Sequence, residues 1–195
     1  MKTAIFNRMI GEVPLNPIRR IFWSCTLACW TVTGMAAVKT PPVVEASAVL
    51  ETDAAHSGST VQAALVAKIA SGYHINDHKP SHDYLIPSEL KLDPNPQVAV
   101  QEINYPPGTP IKFEFDDAKL SVYEGTLIIR AGLKIAAGTK PGDYTLKGKF
   151  AYQACNDRAC FPPTSVPVQL VVKVVGASVP LKRVHEDLFK RVKVE

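Results

Sequence analysis

TLIIRAGLKIAAGTKPGDYTLKGKFAYQACNDRACFPPTSVPVQLVVKVV, residues 126–175, is the stretch that decides the fold. Three runs inside it, Thr126–Ile135, Tyr144–Gln153 and Val166–Val175, are rich in β-branched and aromatic residues. They are separated by Gly138-Thr-Lys-Pro-Gly142 and by a cysteine-bearing loop that closes on Pro162-Pro163. Short apolar runs divided by Gly and Pro clusters, with no helical period between them, read as antiparallel strands. Working outward toward the N-terminus, Val61–Ala70, Leu85–Leu92, Val98–Tyr105, Ile111–Phe115 and Leu120–Tyr123 continue the pattern. Pro106-Pro107-Gly108 and Asp116-Asp117 supply further breaks. Strands this short at this spacing predict an all-β antiparallel sandwich over residues 59–176.

The flanks differ. Lys2, Arg8, Arg19 and Arg20 against Glu12 account for three of the four net positive charges of the chain. The remainder of the chain is nearly neutral, so a basic face for nucleic acid is not expected. Arg19-Arg20 precede the apolar run Ile21–Val38, which exits through Gly34, Ala36 and Ala37. A cationic start, an apolar middle and a small-residue exit predict a signal peptide over residues 1–37, or a membrane tether through 21–38. Either places the folded part outside the cytoplasm. Residues 38–58 mix Pro, Ala and acidic residues without periodicity and read as a linker. At the other end, Leu181, Val184, Leu188 and Val192 recur at helical spacing, so residues 177–195 read as a basic amphipathic tail with a short helix.

Export fixes the meaning of the cysteines. Cys25 and Cys29 belong to the apolar segment, which leaves Cys155 and Cys160 in the folded part. Two cysteines this close in an oxidising compartment are expected to pair. The loop they close is tiny, so the bridge constrains little of the unfolded chain. A bridge that stabilises little points to reactive chemistry, with a merely structural hairpin clip as the rival. Arg158 favours a thiolate, Asp157 opposes it, and Pro162-Pro163 stiffens the exit from the loop. A thioredoxin-type Cys-x-x-Cys at a helix start is absent from the sequence.

The segment Tyr152-Gln-Ala-Cys-Asn-Asp-Arg-Ala-Cys-Phe-Pro-Pro163 and the following Val-rich strand resemble the N-terminal periplasmic domain of the DsbD family. Gly72-Tyr-His-Ile-Asn76, Lys79-Pro80 and Asp83-Tyr-Leu-Ile-Pro87 resemble that family's upstream signature. The resemblance spans roughly residues 60–176 and implies an immunoglobulin-like sandwich. It also implies a redox pair, Cys155 and Cys160, with Cys160 forming the mixed disulfide. Electrons would pass from a membrane-embedded reductase to thioredoxin-like periplasmic proteins, without a cofactor. The family shields its cysteines with an aromatic and acidic loop. The matching place is Phe113–Lys119, where Phe113 or Phe115 would be the cover and Asp116 or Asp117 the acid. Tyr152 and Arg158 are further tuning candidates. Family members of full length add membrane helices and a thioredoxin domain, so a stand-alone version is expected to use a separate reductase.

Two rival functions have their own residues. An adaptor module with an inert bridge would bind a partner along a sheet edge. A metal-binding protein would use His74, His78 and His82, which are spaced four apart, but Pro80 forbids the regular helix that would align them.

Overall fold

The computed structural model describes residues 42–113 and 118–190, all within the unit Thr40–Glu195. The expected export segment lies outside the described residues. Among the described residues no helix is long and apolar enough to cross a membrane.

The chain forms β1 (Val44–Leu50), β2 (Ala55–His56), β3 (Thr60–Ile69), β4 (His74–Asn76), β5 (Glu89–Leu92) and β6 (Val98–Asn104). It continues through β7 (Thr109–Lys112), β8 (Lys119–Tyr123), β9 (Thr126–Ile135), β10 (Gly142–Tyr152), β11 (Ala154–Cys155) and β12 (Thr164–Val175) to the short helix α1 (Glu186–Phe189). One sheet has the order β1-β3-β9-β6, a second β2-β12-β10-β5, and a third, smaller one β11-β4-β8-β7. All pairings are antiparallel except β2 with β12.

Period-two alternation builds the core. Val61, Ala63, Leu65, Ala67 and Ile69 of β3 point inward, as do Leu127, Ile129, Ala131, Leu133 and Ile135 of β9. From the facing sheet come Leu146 and Phe150 of β10 and Val168, Leu170, Val172 and Val174 of β12. Residues of both large sheets share two apolar clusters, one around Leu65, Ile129 and Phe150, the other around Leu133, Leu146 and Val172. This is the packing of an immunoglobulin-like β-sandwich. Ile75 of β4 and Tyr123 of β8 join the first cluster, which fastens the third sheet to the sandwich.

Three expectations need correction. The stretch 38–58 is not simply a linker, because it carries β1 and β2. Val44 and Leu50 are buried, and β1 pairs with β3 from Val44↔Ile69 to Leu50↔Ala63. Small residues between them, Ala46, Ser47 and Ala48, hide the alternation from the sequence. In the tail, Leu181 and Val184 lie on extended chain rather than on a helix. Residues 182–184 pair with 51–53, through Asp53 N–H to the Lys182 carbonyl at 3.0 Å and Val184 N–H to the Glu51 carbonyl at 2.8 Å. The Arg130 guanidinium then holds α1 by donating to the Leu188 carbonyl at 2.7 and 2.9 Å; Val192 lies outside the described residues. Finally, residues 85–88 precede β5 as loop, consistent with Pro87 disfavouring a ladder position.

Candidate functional site

The site is built at the connection from β10 to β12. Tyr152 ends β10, and after Gln153 the chain crosses to the third sheet as β11, whose Ala154 and Cys155 lie opposite Ile75 and His74 of β4. It then turns back on itself. Asn156 makes the turn: its Oδ1 accepts the N–H groups of Arg158 and Ala159, each at 3.0 Å. A side-chain carboxamide capping the chain two and three residues on is the usual device for so tight a reversal. The backbone of Asn156 donates to Ala159 at 3.0 Å, and that of Phe161 to Ala154 at 2.8 Å.

Between those two hydrogen bonds, Cys155 and Cys160 face each other as an antiparallel pair and form a disulfide, with Cα atoms 3.9 Å apart. Ladder positions without hydrogen bonds of their own bring side chains closest, which is why cysteines five apart can be bridged here. The two sulfurs are not equivalent. Cys155 is 1% exposed, held between β4 and the returning segment, whereas Cys160 lies on the outer segment and is exposed.

Beside Cys160 is a shallow cleft of about 360 Å³ walled by Tyr84, Leu85, Leu120, Gln153 and Arg158. Tyr84 on its wall is 68% exposed, and the chain neighbours of Leu85 and Cys160, Ile86 and Phe161, are exposed apolar residues at 42% and 40%. Gln153 ties the loop down. Its Oε1 accepts from Asn76 Nδ2 at 3.2 Å and from Ile86 N–H at 3.3 Å, and its Nε2 donates to the Phe161 carbonyl at 3.2 Å.

Behind Cys155 lies His74. It is 2% exposed, its ring stacks on Phe113 with centroids 4.1 Å apart, and its buried Nε2 has no hydrogen-bond partner. Burial pushes the imidazole below the ordinary histidine range, and the Asp157 carboxylate in the turn partly opposes this. Just beyond β4, Asp77 anchors the strand. Its carboxylate accepts from Tyr123 OH at 2.5 Å, Ser121 Oγ at 2.7 Å, Gly108 N–H at 3.1 Å and Lys79 N–H at 3.3 Å. Burial would raise this carboxyl, but the four donors outweigh it and hold the group below the usual carboxylate range. Gly108 approaches so closely that a Cβ there would lie 2.6 Å from Ser121 Oγ and 2.7 Å from Asp77 Oδ2. The Pro106 carbonyl, 2.9 Å from the same hydroxyl, is its alternative acceptor, and burial followed by the bond to Asp77 pushes the Tyr123 phenol far up.

The expected residues therefore separate. Cys160 and Arg158 line the cleft, and Cys155 lies buried behind Cys160 across the disulfide. Phe113 is buried with Leu85, Leu120 and Val122 and reaches the site by covering His74. Phe115, Asp116 and Asp117 lie outside the described residues. Tyr152 turns inward, 3% exposed and stacked on Phe150 in the sandwich core, so its ring is a packing element and not a wall of the cleft. His74, His78 and His82 do not converge: they stack on Phe113, Tyr105 and Tyr84 respectively. No group of three metal-ligating side chains occurs among the described residues. Three contributors escape sequence reasoning: His74 as the neighbour of Cys155, Asp77 as the anchor of β4, and Gln153 as the loop's tie. The Gly72–Asn76 signature was the one local signal for the first, and it carries no role by itself.

Residues 41–171 match the family described as thiol:disulfide interchange protein DsbD, N-terminal. Among solved structures, the DsbD N-terminal domain of Neisseria meningitidis in the reduced form is 20% identical, with a TM-score of 0.35 over 65% of this chain and 86% of that one. The N-terminal periplasmic domain of ScsB from Proteus mirabilis is 16% identical, with a TM-score of 0.46 over 67% of this chain and 47% of that one. A type I cohesin from Pseudobacteroides cellulosolvens is 14% identical, with a TM-score of 0.43 over 72% of this chain and 97% of that one. Among curated proteins, none matches the chain in sequence.

Proposed function

The chain belongs to the DsbD N-terminal family, and we propose that it is an exported thiol–disulfide exchange module working through Cys155 and Cys160. The observation that carries this reading is the asymmetry of the bridge: one sulfur-bearing residue is exposed beside a cleft, the other is buried.

Exchange requires an attacking thiolate with access to one sulfur along the S–S axis and a leaving thiolate on the other side. A partner thiolate attacks Cys160 Sγ. The new bond joins the partner to Cys160, the Cys155–Cys160 bond breaks, and its electron pair leaves on Cys155. A second partner thiol then displaces Cys160, so both cysteines end reduced and the partner oxidised. Run in reverse, the Cys160 thiolate attacks a partner disulfide and Cys155 resolves the intermediate. Arg158 beside Cys160 favours the thiolate. The exposed apolar residues Tyr84, Ile86 and Phe161, close in sequence to the cleft's walls, suit a partner that also presents apolar surface around its own cysteines. On this reading a membrane-embedded reductase is the electron source and thioredoxin-like proteins are the acceptors.

The test is trapping. Cys155→Ser, mixed with an oxidised thioredoxin-like protein, is expected to form a covalent complex through Cys160, and Cys160→Ser is expected to form little. Equal trapping by both variants, or by neither, refutes the asymmetric exchange. A reduction potential below roughly −300 mV would instead identify a structural bridge and leave an adaptor module.

A further inference from the structure

We propose that the His74 imidazole is the proton partner of the buried Cys155 sulfur during exchange. This rests on the exchange reading above and adds a residue to it.

Cys155 and His74 are direct cross-strand partners in the β11–β4 ladder. Residues so paired project to the same side with Cβ atoms about 4.5–5.5 Å apart, within reach of an imidazole and a sulfur. Both are almost wholly enclosed, at 1% and 2% exposure. A thiolate appearing at Cys155 therefore meets little water, and desolvation alone would raise its pKa and make it a poor leaving group. The structure holds the remedy next to it. His74 Nε2 is buried and has no partner while the disulfide is intact. A buried polar nitrogen left unpaired costs free energy, so such a group calls for an explanation. A thiol or thiolate at Cys155 would supply the missing partner. The Phe113 ring stacked on the imidazole restricts its orientation.

The proton balance is simple. In the forward direction the partner thiol ionises and attacks Cys160 Sγ, the bridge breaks, and Cys155 leaves as a thiolate. As that charge appears, the neutral His74 imidazole takes up a proton and hands it to Cys155, while the partner's proton goes to water, so the proton count is unchanged. In reverse, His74 takes the Cys155 proton, and the resulting thiolate attacks Cys160 Sγ in the mixed disulfide and expels the partner thiolate. No external oxidant or reductant is needed. Among the described residues, the charge acting on His74 is that of Asp157 in the turn, with Arg158 exposed beside it and Cys155 the titratable group opposite.

Two variants and one observation on the native protein test this. His74→Phe keeps a ring against Phe113 but removes both nitrogens; His74→Gln restores a donor and an acceptor without titrating near neutrality. With a thioredoxin-like dithiol at pH 7, His74→Phe is expected to exchange about 10-fold more slowly than the native protein, since general acid–base partners contribute at least this much. Its reduced form should be about 10-fold less favoured, which is about 30 mV in potential. His74→Gln should recover most of the potential but lose the dependence of rate on pH between about 5 and 8. Nitrogen NMR of the native His74 ring should show its titration midpoint rising on reduction of the bridge. An unchanged His74 midpoint between the two redox states overturns the proposal, whether or not the variants fold. Native-like rates and potentials in folded His74→Phe overturn it too. If the native protein itself fails to exchange, it is the exchange reading that falls.

Discussion

Asp77→Ala should be among the more damaging single changes outside the apolar core, and its cost can be worked from the hydrogen bonds. The carboxylate is 8% exposed and accepts four donors: two hydroxyls, Tyr123 and Ser121, and two backbone amides, Gly108 and Lys79. Truncation lets Tyr123 turn to its alternative acceptor, the Pro106 carbonyl, and lets Ser121 rotate, but it takes the acceptor from the Gly108 and Lys79 amides. A stranded buried donor costs about 1–3 kcal/mol, and the lost charge-assisted bonds add to it, so about 3–5 kcal/mol is expected. Asp77→Asn should cost less. Turning its NH2 toward Oδ1's place lets Tyr123 accept from it and leaves Ser121 and Gly108 their acceptor. The casualty is then the long 3.3 Å bond from Lys79, for about 1–3 kcal/mol. Because the folded carboxyl lies below its unfolded value of about 3.9, its contribution is complete above that value. It is lost as pH falls through the folded pKa. Urea denaturation at pH 7 and again at pH 3 checks both statements: native protein and Asp77→Asn should differ at pH 7 and converge in acid. A difference that stays constant across that range, or a fully stable Asp77→Ala, would refute the assignment of Asp77 as a charged anchor.

Other outcomes rest on packing and covalent structure. Phe150→Ala, at a fully buried position shared by both large sheets, should cost about 3–5 kcal/mol in denaturant unfolding. Gly148→Ala should cost about 1–3 kcal/mol, because its Cβ would fall on the Lys91 carbonyl oxygen and 2.9 Å from Leu92 Cα, both backbone of β5. Gly176→Ala, with nothing within 4 Å of the added atom, should lie within about 0.5 kcal/mol of native in the same assay. Reducing the bridge, which links residues only 5 apart, should lower stability by about 2 kcal/mol and leave the sandwich folded by far-UV circular dichroism.

Legibility in the sequence tracked how locally each feature is encoded. β9, β10 and β12 carry their alternation in Ile, Leu, Val and Phe over ten or more residues, and they are where reading gives them within two residues. β1 is equally buried at its ends, but Ala and Ser fill its middle, so its pattern vanishes into what looks like linker. β4 and β11, of three and two residues, are too short for any period and exist through pairing, β11 with β4 and β4 also with β8. The same rule divides the site. The Cys155–Cys160 bridge is legible because its two ends are near in sequence and the sequence predicts export, for which pairing is the default. His74 is 81 residues from Cys155, and nothing short of the β4–β11 register sets them side by side. Tyr152 illustrates the converse error: adjacency to a reactive loop in sequence says nothing about which face a strand residue takes, and alternation sends this one inward with Phe150.

The direction of attack on the bridge is likewise a property of the sheet. In the narrow hairpin both cysteines point the same way, so side-chain chemistry alone gives no reason for one to be reachable and the other not. Strand position supplies it. Ala154 and Cys155 have a neighbour on each side, β4 and the returning chain, whereas among the described residues 159–161 pair with the inner segment alone, as an edge. Pro162 and Pro163 come directly after and lack the amides that would let another strand extend from that edge. The edge is thereby blunted against pairing, while Cys160 on it is exposed.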